Sequence, residues 1–187
     1  MTPSPIGILK STFVDDPVPV EGMPEFYAHI KRTLSPNWFY LSASPYNLYL
    51  FLRPFLHAHY PPGTLILRDA SWEDLSGFLW SLTVNTKEYK VSRMDKIYSW
   101  LPDRKVVCVG DSTQSDPEAY GDIYRKYDRW VKAIFIRKVT DVSEMGLTGK
   151  NAPGRFEKAF RGVPKSVWRV FEKPEELYQA VESLTTI

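Results

Sequence analysis

Cysteine is almost absent from the sequence, which contains one residue of this type, Cys108. A single thiol excludes an internal disulfide framework and suits a reducing compartment. An excess of charge of either sign is also missing, because 24 basic and 22 acidic residues leave a formal net charge of +2. Such a balance gives no electrostatic indication of nucleic-acid binding, and we expect no nucleic-acid partner.

Long hydrophobic runs are missing as well. No stretch of about 18 apolar residues occurs, and the N-terminus MTPSPIGILKSTF lacks the basic flank and apolar core of a signal peptide. The sequence therefore predicts a cytoplasmic protein. Of its 187 residues, 43% are hydrophobic and 14% are aromatic, which is enough to bury one core, so we expect a single domain over residues 1–187.

Short apolar segments have the composition of buried strands. They are continuously apolar rather than alternating, which is typical of parallel strands covered on both faces by helices. In chain order they are WFYLS (38–42), TLILR (64–68), KVVCVG (105–110), KAIFIR (132–137) and, less clearly, VWRVF (167–171).

Segments with helical patterns alternate with these strands, and several begin at a proline. They are PEFYAHIKRTL (24–34), PYNLYLFLRPFL (45–56), KEYKVSRMDKIYSWL (87–101), PEAYGDIYRKY (117–127) and PEELYQAVESL (174–184). Alternation of strand and helix predicts a three-layer α/β architecture with a mainly parallel sheet. In such folds the chemistry lies at the carboxyl ends of the strands.

Polar residues follow two of the predicted strands. WFYLS ends at Ser42, and KVVCVG is followed by Asp111 and, at the start of the next helix, Asp116. A hydroxyl beside the open N–H groups of residues 44–46 would suit a phosphoryl oxygen. Two nearby carboxylates could hold Mg²⁺, which prefers oxygen ligands.

A structural explanation of the same residues competes with this one. Gly110-Asp111 is a common turn dipeptide, and Asp116 before Pro117 is a good helix N-cap, as is Ser44 before Pro45. Lys90 could project toward a phosphate, but an isolated helical lysine more often lies in solvent. Residue types and spacing do not decide between the two explanations.

The motifs taken together resemble a known family. The chain is similar, over roughly residues 6 to 140, to the catalytic domain of the fungal actin-patch-type phosphatidate phosphatases, members of the haloacid dehalogenase superfamily. The segments that carry the resemblance include VEGMPEFYAHI, WFYLSASPYNLYLFLRPFL, YPPGTLILRD, YKVSRMDKIYSWLPDRKVVCVGDSTQSDPEAYGDIYRKY and VKAIFIRKV. The tail RFEKAFRGVPKSVWRVFEKPEEL (155–177) also resembles the end of that domain. The composite SASP…GDSTQSDPE is more specific than any single segment.

The resemblance implies a role for each candidate residue. Ser42 matches the second superfamily motif, whose hydroxyl binds the transferring phosphoryl group. Lys90 matches the third motif, whose ammonium balances charge on the phosphate and the nucleophile. Asp111 and Asp116 match the fourth motif, whose carboxylates hold Mg²⁺, and on this reading Asp116 can also cap its helix.

The first motif of the superfamily, Asp-x-Asp-x-Thr/Ser, is not found in the chain. It supplies the nucleophilic aspartate and the general acid and base. None of the 11 aspartates has another two positions on. The resemblance therefore implies a Rossmann-like haloacid dehalogenase fold without its N-terminal motif strand, as if the start point were set too late.

The missing strand would leave unpaired N–H and C=O groups on the flanking strands WFYLS and KVVCVG, each costing about 1 to 3 kcal/mol if buried. We expect IGILK (6–10), a neighbouring chain, direct approach of the flanking strands, or a cleaved upstream segment to fill that position.

Two functions follow from the resemblance. The first is a Mg²⁺-dependent phosphatidate phosphatase domain that is inactive as this isolated chain for want of the nucleophile. The second is a non-catalytic module that binds phosphatidate or a related phospholipid headgroup. The resemblance also implies peripheral membrane contact and protein partners in the cortical actin machinery. Apolar residues within 71–84, among them Trp72, Phe78 and Trp80, could face a membrane or, by their spacing, form a core helix.

Overall fold

The computed structural model describes residues 18–69, 86–140 and 149–186. By its internal contacts the chain divides into two compact units, Met1–Val84 and Asn85–Ile187. The single domain predicted from length stays a prediction. Each unit has its own parallel sheet among the described residues.

The elements alternate between helix and strand. The first unit contains α1 (Met23–Leu34), β1 (Phe39–Pro45), a 3-10 turn (Tyr46–Leu48), α2 (Tyr49–His59) and β2 (Thr64–Arg68). The second contains α3 (Thr86–Trp100), β3 (Val106–Asp111), α4 (Asp116–Lys126), β4 (Val131–Arg137), α5 (Pro153–Ala159), β5 (Trp168–Phe171), a 3-10 turn (Pro174–Leu177), α6 (Tyr178–Glu182) and a final 3-10 turn (Ser183–Thr186).

The sheet of the first unit pairs β1 with β2 in parallel. Phe39 lies opposite Thr64 and Leu41 opposite Ile66, after which the register shifts before Pro45 pairs with Arg68. The irregularity falls where the strand carries Ser42. A bulge at this point redirects the chain at the carboxyl end of the strand.

The sheet of the second unit has the order β3-β4-β5, with both pairs parallel. The central strand β4 is the most buried of the three, with five of its seven residues buried. This agrees with its continuously apolar sequence, since a central parallel strand is covered on both faces. The order places the carboxyl end of β3 at one edge of the sheet.

The α/β class with parallel strands is confirmed. All five predicted strands are present, TLILR with the same bounds and the others within three residues at each end. The structure adds α5, a seven-residue helix that the sequence reading did not predict. Among the described strands, WFYLS belongs to the two-stranded sheet and KVVCVG to the three-stranded sheet.

An aromatic cluster of partly buried rings connects α1 to β1 in the first unit. The Tyr27 ring stacks on Trp38 at a centroid distance of 5.0 Å, and Trp38 stacks on Tyr40 at 6.2 Å. Tyr40 donates a hydrogen bond from its hydroxyl to the Pro61 carbonyl at 2.6 Å. Gly63 lies against this cluster, where a Cβ would come within 2.5 Å of Trp38 Cβ.

A second aromatic cluster connects α3, α4 and β4. Tyr98 stacks on Tyr127 at 3.7 Å, and Trp130 meets Tyr98 edge to face at 5.2 Å. Trp130 is 2% exposed and donates from its indole nitrogen to the Leu101 carbonyl at 3.3 Å. The contacts join the end of α3 to the start of β4.

None of the described helices is long and apolar enough to cross a bilayer. Two of the predictions concern segments that the description does not cover, namely IGILK (6–10) and the apolar segment 71–84.

Candidate functional site

The carboxyl end of β3 carries the candidate metal ligands. Asp111 is the last residue of β3, and Asp116 is the first residue of α4, so residues 112–115 form the loop between them. Asp111 Oδ1 accepts hydrogen bonds from the backbone N–H of Thr113 at 2.7 Å and from the Thr113 hydroxyl. An aspartate that binds the backbone two residues on shapes a tight turn.

Asp116 lies at the centre of the site and is only 4% exposed. Its Oδ1 accepts a hydrogen bond from Lys90 Nζ on α3, and its Oδ2 accepts one from the Asp111 backbone N–H at 3.0 Å. Lys90 is itself 5% exposed. The carboxylate and the ammonium therefore form a buried ion pair.

One detail of the sequence reading of these residues is wrong, and one alternative that it left open is excluded. Asp116 does not cap α4, because Ser115 occupies the N-cap position and no side chain caps the helix. The carboxylate turns back to the strand end, where it meets Lys90 and the Asp111 amide. Lys90 is correspondingly buried rather than on a solvated helix face.

Burial dominates the electrostatics of the site. Burial raises the pKa of Asp116, the neighbouring Lys90 ammonium lowers it and the Asp111 carboxylate raises it, which leaves it above the ordinary value. Burial also raises the pKa of the Cys108 thiol, with a smaller contribution from Asp116. Cys108 therefore stays a neutral core side chain, as its apolar neighbourhood in the sequence indicates.

Gly110 makes the approach of Asp116 to β3 possible. A Cβ at this position would lie 2.6 Å from Asp116 Oδ2 and 2.7 Å from its Cβ. Such separations are well inside van der Waals contact. The Gly-Asp dipeptide is thus more than a turn signal, because its glycine provides the space that the buried carboxylate occupies.

Ser42 lies in the first unit, in the bulged part of β1, and is partly buried. Its Oγ accepts a hydrogen bond from the Ser44 N–H at 3.2 Å. Ser44 is part of β1 and, unlike the sequence-based expectation, does not cap a helix. Pro45 occupies the N-cap position of the 3-10 turn that follows. Fewer open N–H groups are therefore left for a phosphate than the sequence predicted, because the Ser44 N–H binds Ser42 Oγ and Pro45 has no N–H.

The structure brings three of the four candidate residues together. Lys90, Asp111 and Asp116 form one cluster in the second unit, while Ser42 belongs to the first unit. The convergence of all four on a single pocket stays a prediction.

Two supports of the loop were missed by sequence reasoning. Ser112 is fully buried, and its Oγ accepts from the Val139 N–H at 3.1 Å. Arg155 on α5 binds the carbonyl oxygens of Ser112 and Gln114. The acceptors are backbone atoms 41 to 43 residues away, and backbone acceptors have no sequence signature.

The donor set bears on whether Mg²⁺ fits. The described residues contain no group of three or more His, Cys, Asp or Glu side chains that could hold a metal. Asp111 and Asp116 together offer two carboxylates, and Mg²⁺ is commonly bound by one or two carboxylates with waters and phosphate oxygens. Two carboxylates suit a Mg²⁺ ion whose coordination other oxygens complete, and the Mg²⁺ site stays a prediction.

Comparison with known proteins decides the family. The sequence model of the family described as "Phosphatidate phosphatase APP1, catalytic domain" matches residues 1–138 of the 187. The chain belongs to the APP1 catalytic-domain family. Its resemblance to phosphatidate phosphatases is thereby confirmed.

A member of the APP1 family has a curated description. The phosphatidate phosphatase APP1 of Saccharomyces cerevisiae (strain S288c) is 27% identical to the chain over 118 residues. The match covers 63% of the chain and 19% of the yeast protein, so the chain spans less than a fifth of that relative's length. No solved structure matches the chain.

The APP1 match includes Ser42, Lys90, Asp111 and Asp116 but ends at residue 138. Arg155, which binds the loop between the two aspartates, lies beyond it. The second unit therefore combines family residues with a C-terminal segment outside the family match.

Proposed function

We propose that the chain forms the greater part of a Mg²⁺-dependent phosphatidate phosphatase domain, which hydrolyses phosphatidate to diacylglycerol and phosphate. The observation that carries this proposal is the buried cluster of Lys90, Asp111 and Asp116 at the carboxyl end of β3 in an APP1-family chain. Perturbed, buried ionisable groups at a strand end are a common feature of active sites.

The family resemblance supports a role for each candidate residue. Asp111 and Asp116 would hold the metal ion, and Lys90 would keep Asp116 ionised in its buried place. Ser42 would hydrogen-bond a phosphoryl oxygen through its hydroxyl proton. When bound, Mg²⁺ would supply charge stabilisation for the phosphate oxygens.

The chain by itself is proposed to be inactive. Hydrolysis through a covalent phosphoryl intermediate requires a nucleophilic oxygen. The resemblance to the superfamily implies that this oxygen belongs to an Asp-x-Asp motif. The 187 residues contain no such pair. Binding and electrostatic stabilisation without a nucleophile cannot complete the reaction.

The experiment begins with the coding sequence upstream of Met1. If an in-frame extension encodes Asp-x-Asp-x-Thr/Ser, the extended protein should release phosphate from phosphatidate in mixed micelles when Mg²⁺ is present. Asp111→Asn in the extended protein should lower the rate at least about 100-fold, because one ligand loses its charge. An extended, folded protein without Mg²⁺-dependent release would refute the proposal.

If Met1 is the natural start, the absence of an Asp-x-Asp pair favours a second candidate, a module that holds a phosphomonoester headgroup without cleaving it. The 187-residue chain should then bind vesicles of phosphatidylcholine with phosphatidate more tightly than phosphatidylcholine alone. Ser42→Ala should reduce that difference, whereas Ser99→Ala, whose hydroxyl bonds the Lys96 carbonyl on an exposed part of α3, should not. Binding is measured as the fraction of the chain that sediments with the vesicles. Equal fractions with both vesicle types would exclude this candidate.

A further inference from the structure

Arg155 makes a dense set of contacts with the loop of the candidate site. Its Nη1 donates to the Ser112 carbonyl at 2.5 Å and the Lys150 carbonyl at 2.8 Å, and its Nη2 donates to the Gln114 carbonyl at 2.5 Å. Nε and Nη2 also bind the two carboxylate oxygens of Glu118 at 2.7 and 2.9 Å. All three guanidinium nitrogens are therefore engaged.

The geometry of these contacts fixes the guanidinium plane. Glu118 lies in the first turn of α4 and receives a two-point contact, which holds the fork in one orientation. The side chain of Arg155 is 16% exposed and that of Glu118 34% exposed, so water competes less than at the open surface. Burial raises the pKa of Glu118, but hydrogen bonds and the charge of Arg155 outweigh burial and leave it below the ordinary value.

The carbonyls that Arg155 binds belong to the connection between Asp111 and Asp116. Residues 112–115 must turn sharply for the Asp116 carboxylate to reach the Asp111 amide. Holding the Ser112 and Gln114 carbonyls constrains the peptide planes between residues 112 and 113 and between residues 114 and 115. The N–H in the first of these planes is that of Thr113, which binds Asp111 Oδ1. The guanidinium thus acts on the backbone that orients both aspartates.

We propose that Arg155 is a positioning residue that holds the loop 112–115 in the form in which Asp111 and Asp116 converge on one cation. The proposal rests on the proposed function, because the cation is the Mg²⁺ of that site. It assigns a role in the site to the segment that follows the family match.

Arg125 provides a matched comparison within the same unit. It also extends from one helix to backbone carbonyls, with Nη1 donating to Ala159 at 3.0 Å and Arg161 at 2.9 Å, and it binds Asp122 through Nη2 at 2.6 Å. Arg125 thus joins α4 to the end of α5, and none of the contacts that the structure describes for it involves the loop 112–115. Loss of either arginine removes one charge, together with five hydrogen bonds at Arg155 and three at Arg125.

The test compares Arg155→Met with Arg125→Met in the full 187-residue chain. Amide hydrogen exchange measured by mass spectrometry on peptides spanning 111–118 reports local order of the loop. Mn²⁺ serves as an oxygen-seeking probe for the Mg²⁺ site, and its binding is followed by the loss of the free-ion electron paramagnetic resonance signal. Asp111→Asn identifies the part of Mn²⁺ binding that belongs to the site.

We expect Arg155→Met to speed exchange of the 111–118 peptides at least about tenfold and to weaken Mn²⁺ binding about 10- to 100-fold, the range found when groups that orient metal ligands are removed. Arg125→Met should change neither quantity. Glu118→Gln should retain most of the loop order, because the carbonyl contacts of Arg155 remain. Arg155→Lys should give intermediate values, since a lysine lacks the planar fork.

Several results would overturn the proposal. One is exchange of the 111–118 peptides in Arg155→Met and Arg155→Lys no faster than in Arg125→Met. Another is an Arg155→Met variant whose 111–118 peptides exchange faster while its Mn²⁺ affinity is unchanged. That result would show that order in the loop does not affect metal binding. If the wild-type chain binds no Mn²⁺ that depends on Asp111, the proposed function loses its metal site, while the exchange data still decide whether Arg155 orders the loop.

Discussion

At the scale of single residues, the site depends on the smallest side chain at the end of β3. Gly110 leaves room for a carboxylate that is itself held by a lysine from another helix and by an amide of the strand. The two hydrogen bonds of the Asp116 carboxylate, to Lys90 and to the Asp111 amide, therefore both require the space that Gly110 leaves. Substitutions at this position test the arrangement directly.

Gly110→Ala should destabilise the chain by about 1 to 3 kcal/mol, because the new methyl group overlaps the Asp116 side chain. The measurement is urea unfolding followed by circular dichroism. Gly154→Ala is the control, since a Cβ there has nothing within 4 Å. Gly154 lies in α5, and alanine should stabilise that helix by less than about 1 kcal/mol. Equal stability of the two variants would contradict the crowding argument.

Lys90→Met should cost about 3 kcal/mol or more, because it leaves the buried Asp116 carboxylate without its partner. Adding Asp116→Leu should recover part of that loss and not all, since the Asp111 N–H then lacks its acceptor. Lys87→Met is the control on the same helix. Its ion pair with Asp122 is about 40% exposed, so the cost should stay below about 1 kcal/mol. Additive effects in the double variant would argue against a buried pair.

At the scale of elements, α3 and α4 are joined by charged pairs as well as by packing. Asp122 on α4 accepts from Lys87 on α3 at 3.0 Å, and Lys126 on α4 donates to Asp95 on α3 at 2.7 Å. Burial raises the pKa of Asp122, but the hydrogen bonds from Lys87 and Arg125 outweigh burial and leave it below its ordinary value of 3.8. The charged form is therefore favoured by folding.

A depressed pKa in the folded state implies stabilisation that is complete above the unfolded pKa and disappears as the pH falls through the folded value. Asp122→Asn should therefore destabilise the chain at pH 7 by up to about 1 kcal/mol, given its partial exposure. The difference from wild type should shrink below about pH 4. Urea unfolding at several pH values measures it, with the exposed Asp128→Asn as control. A cost that is independent of pH would point to packing instead.

The same elements show which features a sequence reveals. The strands were predicted because a parallel strand covered on both faces is continuously apolar, a local property of KAIFIR and TLILR. The helix α5 was missed because its seven residues are too few for a period of 3.6 to be visible. The N-cap assignment of Asp116 failed because capping preference is local, whereas Lys90 lies 26 residues away in sequence. Arg155 was missed for the same reason.

At the scale of the whole molecule, the C-terminal segment completes the second sheet. The family match ends at residue 138, directly after β4, yet β4 pairs on its far side with β5. The segment also supplies buried apolar side chains, namely Phe156, Ala159, Phe160, Val163, Trp168, Phe171, Leu177, Ala180 and Val181. The fold of the second unit therefore extends beyond the matched region.

A chain ending at Lys138 should fail to unfold cooperatively, because β4 would lose one neighbour and much of the apolar cover on its faces. The same deletion removes Arg155. A chain ending at Glu182, which keeps β5 and α6, is the control and should melt within a few degrees of the full chain. Thermal unfolding by near-ultraviolet circular dichroism compares them. A cooperative transition in the shorter chain would show that the tail is dispensable.

The distribution of indole rings gives each unit its own optical reporter. Trp38 stacks on both Tyr27 and Tyr40 in the first unit, and the buried Trp130 packs against Tyr98 of α3 in the second. In a variant that keeps one of these two tryptophans and carries phenylalanine at the other five tryptophan positions, the emission of the retained ring would follow the melting of its own half of the chain.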